Sequence, residues 1–435
     1  MSNIMFAQTT GYHSYKNSGF AWIGEVPKHW DVTCLGVCLK AYSEKNRPDL
    51  PLLSITRELG VIERDIEDQE SNHNFIPDDL SGYKVLKKGQ FGMNKMKAWQ
   101  GSYGVSKFTG IVSPAYFIFD FIKDIDPHFF NWAIRSKLYV SYFGSASDGV
   151  RVGQWDLSKT RMKSIPFLIP PREEQASIVR YLDSKTAQID EAIAIKQNQI
   201  ELLKERKQII IQQAVTQGLN PDAPMKDSGV DWIGEIPEHW IVKRAKYLLD
   251  EINERSETGL EELLSVSHMT GITPRSEKNV TMFMAEDYTG SKLCHSGDLV
   301  INIMWAWMGA LGVSDRTGIV SPSYGVFREQ REGTFVPKYL EMLLKSTKYV
   351  EYYNKVSTGL HSSRLRFYGH MLFDMALGFP PYEEQTQIVE YISRKCSKVD
   401  EAITVQAEQV SKLKEYKTTL INSAVTGKIK VTELA

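Results

Sequence analysis

The chain has 435 residues, 42% of them hydrophobic and 24% charged, with a formal net charge of −1. That length exceeds one ordinary hydrophobic core, so about two to four domains are expected. No stretch is apolar enough for a membrane span, the N-terminus lacks an export pattern, and four scattered cysteines favour reduced thiols in a cytoplasmic protein.

After an N-terminal extension (1–17), "SGFAWIGEVPKHW" spans Ser18–Trp30 and returns as "SGVDWIGEIPEHW" at Ser228–Trp240, with nine of thirteen positions identical. His29 and His239 lack a Cys, Asp or His companion at a spacing shared by both copies, so catalysis and metal binding are set aside. Trp22, Trp30, Trp232 and Trp240 are read as a largely buried structural tag. Gly24 and Gly234 would permit a tight turn there, and Pro27 and Pro237 would fix the chain beyond it. Cys34 and Cys38 lie four apart, but no second Cys/His pair completes a zinc set, so they are read as packing residues. Leu35–Lys88 and Ala245–Ser296 share almost nothing, and the acidic, polar segment Glu58–Asn74 takes no assignment.

Next comes "NKMKAWQGSYG" (Asn94–Gly104), matched by "NIMWAWMGALG" (Asn302–Gly312). Lys95, Lys97, Trp99 and Gln100 combine cations, an aromatic ring and an amide, a set suited to phosphate and base-edge contact. The second copy keeps Trp305 and Trp307 without the lysines, so a strand packed in the core is an equal alternative. "TGIVSP" follows at Thr109–Pro114 and recurs unchanged at Thr317–Pro322. Ala115–Ile122 and Gly297–Met304 read as strands. "DPHFFNWAIRSKLYVSYF" and "VPKYLEMLLKSTKYVEYY" read as amphipathic helices opened by proline. The loops Ser147–Arg161 and Ser357–Gly369 then offer Arg151, Gln154, Lys159 and Arg161 in one copy and His361, Ser362, Arg364 and Arg366 in the other. DNA contact is favoured there. Ser71–Arg172 carries 14 Lys and Arg against 7 Asp, whereas Thr281–Tyr382 carries 10 basic and 9 acidic residues. The first is a candidate phosphate-facing segment.

"PPREEQASIVRYLDSKTAQIDEAI" from Pro170 and "PPYEEQTQIVEYISRKCSKVDEAI" from Pro380 agree at 13 of 24 positions. Proline followed by paired glutamates marks a helix start. Steps of four and three then place Ile189, Ile193, Ile200, Leu203 and Ile210 on one stripe, with Val399, Ile403, Val410, Leu413 and Leu420 as their counterparts 210 residues on. Polar residues interrupt both stripes at the same two places, Lys196/Gln406 and Lys207/Lys417. This is a coiled-coil seam. The linker 218–227 is too short to let the helices run parallel, so an antiparallel pair is expected, with a pseudo-twofold axis relating the flanking regions.

The expected class is α+β: two tandem α/β domains separated by two long helices pairing as an antiparallel coiled coil. The boundaries are 18–171, helix 172–217, linker 218–227, 228–381, and 382–435 for the second helix and tail. Enzyme motifs are missing. There is no G-x-G triplet, no phosphate loop, and "IPPRE" and "FPPYE" lack the Asn or Asp that an amino-methylating Pro-Pro motif requires. The residues therefore describe a binding and positioning protein. A stand-alone DNA methyltransferase and a duplicated protein-interaction scaffold are the alternatives.

The duplicated "WIGE", "TGIVSP" and "PPxEEQ" segments, each pair ending in a long helix, resemble the specificity subunit of type I restriction-modification enzymes across essentially the whole chain. The resemblance implies two target-recognition domains reading the halves of a split, asymmetric double-stranded DNA sequence, with the helices as spacer. It implies docking of two modification (methyltransferase) subunits and two restriction (translocase-nuclease) subunits. S-adenosylmethionine, ATP and Mg2+ would belong to those partners, with no cofactor bound by this chain. No family motif can be carried onto the base-reading residues, which lie in the divergent regions.

Overall fold

The computed structural model describes residues 11–65, 76–149, 155–277, 287–359 and 365–431. The chain divides into two compact units, one of residues 1–197 with 408–435 and one of residues 198–407. Each unit therefore holds one globular module and one stretch of each long helix.

The modules repeat each other element for element. In the first, a four-stranded antiparallel sheet runs in the order Leu39–Tyr42, Phe117–Phe121, Phe91–Met93, Tyr103–Val105. In the second, the order is Leu249–Glu251, Gly325–Glu329, Leu299–Ile301, Leu311–Val313. Register agrees as well: Phe119 pairs with Ala41 and Phe91, and Phe327 pairs with Glu251 and Leu299. Short antiparallel pairs surround each sheet, including Lys84–Leu86 with Gly110–Val112 and Lys292–Cys294 with Gly318–Val320.

A further segment laid against these pairs, bridged from Leu52 to Ile111 and from Leu263 to Ile319, accounts for the unchanged glycine and isoleucine of "TGIVSP". Ile111 and Ile319 are fully buried. A Cβ on Gly110 would strike the Pro51 carbonyl, and one on Gly318 the Glu262 carbonyl. Only glycine allows the two backbones to approach so closely.

The expected strands form within their segments, at Phe117–Phe121 and Leu299–Ile301. Each expected amphipathic helix is instead two, Pro127–Ile134 with Lys137–Ser145 and Pro337–Leu344 with Thr347–Val356. The break falls at a buried serine in extended conformation, Ser136 or Ser346, which stands at the N-cap position of the second helix without a side-chain capping bond. Beside it, the Arg135 guanidinium leaves the helix to donate to the carbonyls of Tyr103, Arg57 and Glu58 at 2.6, 3.0 and 2.7 Å. Breaking the helix turns both halves inward, so Phe129, Phe130 and Ile134 and then Tyr139 and Phe143 all reach the core.

The long helices span Arg172–Gln217 and Tyr382–Val425. Within the first unit, Lys417 bonds Asp190 at 2.6 Å and Lys196 bonds Gln409. Within the second, Lys207 bonds Asp400 at 2.7 Å. In the first unit the partner's number falls from 417 to 409 as the residue number rises from 190 to 196, so the helices run antiparallel there. The two lysine–aspartate bridges are the same bridge, 210 residues apart.

The end of each helix joins the core of the module that the other helix leaves. Leu420, Ala424, Val425, Ile429 and Val431 are buried in the first unit, and Ala214 and Val215 in the second. Asn422 accepts from the Leu138 N–H at 3.3 Å, and its counterpart Gln212 from the Thr347 N–H at 2.9 Å.

Candidate nucleic-acid interface

Each module is fixed to the start of its helix by the "PPxEEQ" residues. Glu174 lies 2.6 Å from His29 Nε2 and accepts from Trp30 Nε1 at 3.0 Å. Glu384 repeats both contacts, with His239 at 2.6 Å and Trp240 Nε1 at 3.1 Å. In the first copy Tyr12 adds a third donor, at 2.8 Å. The tag histidines thus find a carboxylate 145 residues away in sequence, in both copies.

The adjacent glutamines are buried and fully engaged. Gln175 accepts from the Asp126 N–H at 2.7 Å and donates to the Pro170 carbonyl at 2.9 Å. Gln385 accepts from the Val336 N–H at 2.9 Å and donates to the carbonyls of Pro380 and Thr334, both at 3.0 Å. A buried amide that satisfies several backbone groups is costly to replace. Long-range partners such as these cannot be read from local spacing. The signal available was their identity in both copies.

In the tag, Trp30 and Trp240 have 0% exposure, while Trp22 and Trp232 are only half-buried. Trp22 stacks on Tyr142 at 4.3 Å and meets Tyr139 edge-on; Trp232 lies tilted over Tyr352 at 4.7 Å and meets Tyr349 edge-on. The turns are as expected at Gly24 and Gly234, with φ of +75° and +72°.

Along the stripe, Ile189, Ile193, Val410 and Leu420 are buried. Ile200, Leu203, Ile210, Val399, Ile403 and Leu413 are half-buried, and the polar interruptions carry the interhelical bonds described above.

The candidate contact residues cluster around a 3-10 turn, not a strand: Lys95–Gln100 in one module and Ala306–Met308 in the other. Lys95 pairs with Asp156 at 3.0 Å, Lys97 is exposed, and Gln100 is half-buried. Trp99 lies 5.0 Å from Trp155, ring to ring. In the second module Trp305, 46% exposed, stacks on half-buried Trp307 at 5.8 Å. Asn94 and Asn302 hold these turns in place. Each side chain accepts from the N–H two residues on and donates to a tyrosine hydroxyl, Tyr116 at 3.3 Å or Tyr324 at 3.1 Å.

The second candidate loop lies alongside. Its described parts bring Leu157 against the turn through the Lys95 carbonyl. Lys159 sits 4.8 Å from the Phe117 ring centre, and Arg161 pairs with Asp148. Arg366 is exposed and bridges Thr358 through the backbone. Arg151, Gln154, His361, Ser362 and Arg364 lie outside the described residues. The structure thus brings Lys95, Lys97, Trp99, Lys159 and Arg161 to one region of the first module, and Trp305, Trp307 and Arg366 to the matching region of the second.

No known family model matches the chain. It is 26% identical over 316 residues to the type I restriction enzyme MjaVIII specificity subunit of Methanocaldococcus jannaschii, covering 68% of this chain and 69% of that one. A putative type I restriction enzyme MjaX specificity subunit of the same organism is 23% identical over 456 residues, covering 96% and 98%. Among solved structures, the fold matches the HsdS subunit from Thermoanaerobacter tengcongensis, with a TM-score of 0.55 and 16% identity over 93% of this chain and 98% of that one. By sequence and by fold, this chain is similar to type I restriction specificity subunits.

A second solved chain extends that likeness. It comes from work on complex assembly and conformational transition of the type I R-M system, and reaches a TM-score of 0.67 at 16% identity over 93% of this chain and 99% of that one. The resemblance carried by the duplicated motifs is borne out, and so is the mixed α/β architecture with its long helices. Both structural matches cover 93% of this chain.

Proposed function

We propose that this chain is the non-catalytic specificity subunit of a type I restriction-modification complex, reading a bipartite, asymmetric DNA target. Residues 18–171 read one half-site and residues 228–381 the other, and the helices 172–217 and 382–425 set the gap. The chain works in the cytoplasm with two methyltransferase subunits and two restriction subunits, which bring S-adenosylmethionine, ATP and Mg2+.

One observation carries the reading. Two modules share strand order, register and helix clamp, yet present unlike side chains on the same turn, Lys95-Met-Lys97 against Ile303-Met-Trp305. One positioning device with two different contact surfaces suits two different base sequences. Each base contact discriminates by about 1–3 kcal/mol, and joining two readers makes the second binding event intramolecular.

The test is an exchange of residues 18–170 for the module of a differently specific relative. Genomic DNA from a host carrying the exchanged chain and its methyltransferase should show one altered half-site and one unaltered half-site. Alteration of both halves, or of neither, would contradict the division of labour.

A further inference from the structure

Part of the charge of Ser71–Arg172 gathers in one cluster, which Lys45 joins from the preceding chain. In the first unit Lys84 and Lys45 face each other across a strand bridge. Lys84 Nζ donates to the Tyr116 carbonyl at 2.7 Å. Lys159 lies over the neighbouring Phe117 ring, and Lys95 closes the group beside Asp156. Among the described residues, Lys45, Lys84 and Lys159 make no ion pair with a carboxylate. Burial pulls the Lys84 ammonium below its ordinary value, and the charges of Lys159, Lys45 and Lys95 pull it further. Like charges gathered this closely repel, and a polyanion laid across them relieves the repulsion.

The second unit keeps the frame and cancels the charge. Arg255 and Lys292 form the matching bridge, but Arg255 is occupied by the Gly290 carbonyl and Asn253 at 2.9 and 3.1 Å. Ile303 replaces Lys95, and Gly369 replaces Lys159. Where the lysine stands in the first unit, Glu251 lies close enough that a Cβ on Gly369 would come within 2.8 Å of its carboxylate. Glu251 also reaches Lys292 at 4.0 Å. The short helix Lys159–Ser164 carries Lys159, Arg161 and Lys163, whereas Gly369–Asp374 carries no Lys or Arg.

We infer that Lys45, Lys84, Lys95 and Lys159 form a phosphate-contacting patch through which the first module supplies most of the salt-dependent DNA affinity, while the second contributes through aromatic and apolar side chains such as Trp305. This rests on the DNA-reading proposal above and assigns unequal chemistry to its two halves.

The test uses the full chain and a random-sequence duplex of about 30 base pairs, with affinity measured across a salt series. Replacing Lys45 and Lys159, both exposed, by Gln should lower the salt slope by about 1.8, at ~0.9 per phosphate contact. Lys84→Gln should lower it further. Arg255→Gln with Lys292→Gln should lower it by less than half as much as Lys45→Gln with Lys159→Gln. Equal losses from the two pairs, or an unchanged slope in the Lys45/Lys159 variant, overturn the patch while leaving DNA reading intact. A wild-type chain that binds duplex without any salt dependence overturns both.

Discussion

The two units differ least in the contacts that join module to helix and helix to helix, and most on the turn that follows Asn94 or Asn302. Trp30 and Trp240, Glu174 and Glu384, Gln175 and Gln385, and the helix bridges Lys417–Asp190 and Lys207–Asp400 are interchangeable in kind and geometry. The exposed turn after Asn94 is cationic, and its equivalent after Asn302 is aromatic and apolar. What was duplicated and kept is the machinery that holds a turn in place. What the turn displays has been left free to change.

The largest expected break in that equivalence comes from the helix ends. Val425 and Val215 are both fully buried, each in a different unit. Val425→Asp places an unpaired carboxylate in the first core and should cost about 4 kcal/mol or more, and Val215→Asp should do the same to the second. Limited proteolysis should then release fragments from residues 1–197 in one variant and from residues 198–407 in the other. The same cleavage pattern in both variants would show that the units do not fold around separate cores.

A smaller effect is expected at the clamp. Gln175→Leu strands the Asp126 N–H and the Pro170 carbonyl, at about 1–3 kcal/mol for each buried group left unpaired. Gln385→Leu should cost a similar amount, read by denaturant midpoint. A loss in one unit alone would mean that the matching geometry hides unequal dependence.

The smallest effect is electrostatic. Hydrogen bonds from His295 and then Arg328 hold the Glu254 carboxyl below its ordinary value, and Lys87 and then Tyr42 do so for its counterpart Glu44. A depressed folded value means stabilisation present above the ordinary carboxylate range and lost as pH falls through the folded value. Glu254→Gln should therefore flatten the acid limb of a melting-temperature profile, and Glu44→Gln should do likewise. An unchanged acid limb would show that these exposed pairs contribute nothing measurable.

Much of this was legible in the sequence because duplication supplies its own comparison. The repeated tag, the identical glycine of "TGIVSP" and the seam at steps of four and three each mark a position that both copies require. Three things were not legible. Glu174 reads locally as a first-turn acid favoured by the helix dipole; its bond to Trp30 is a contact across 144 residues. The helix breaks at Ser136 and Ser346 follow from core packing on both sides of a serine that by pattern alone would continue the helix. The tyrosine partners of Trp22 and Trp232, Tyr139 with Tyr142 and Tyr349 with Tyr352, come from a distant stretch of chain that no local motif reaches. In each case tertiary contact decided between readings that local propensity left equal.

The central claim is that two readers are joined by a helical spacer. Four residues, about one helical turn, inserted after Lys196 in the first long helix test it most directly, with the methylated sequence read from genomic DNA of a host carrying the chain and its methyltransferase. Both half-sites should be preserved and the gap between them changed. An unchanged gap with methylation retained, or altered half-sites, would contradict it.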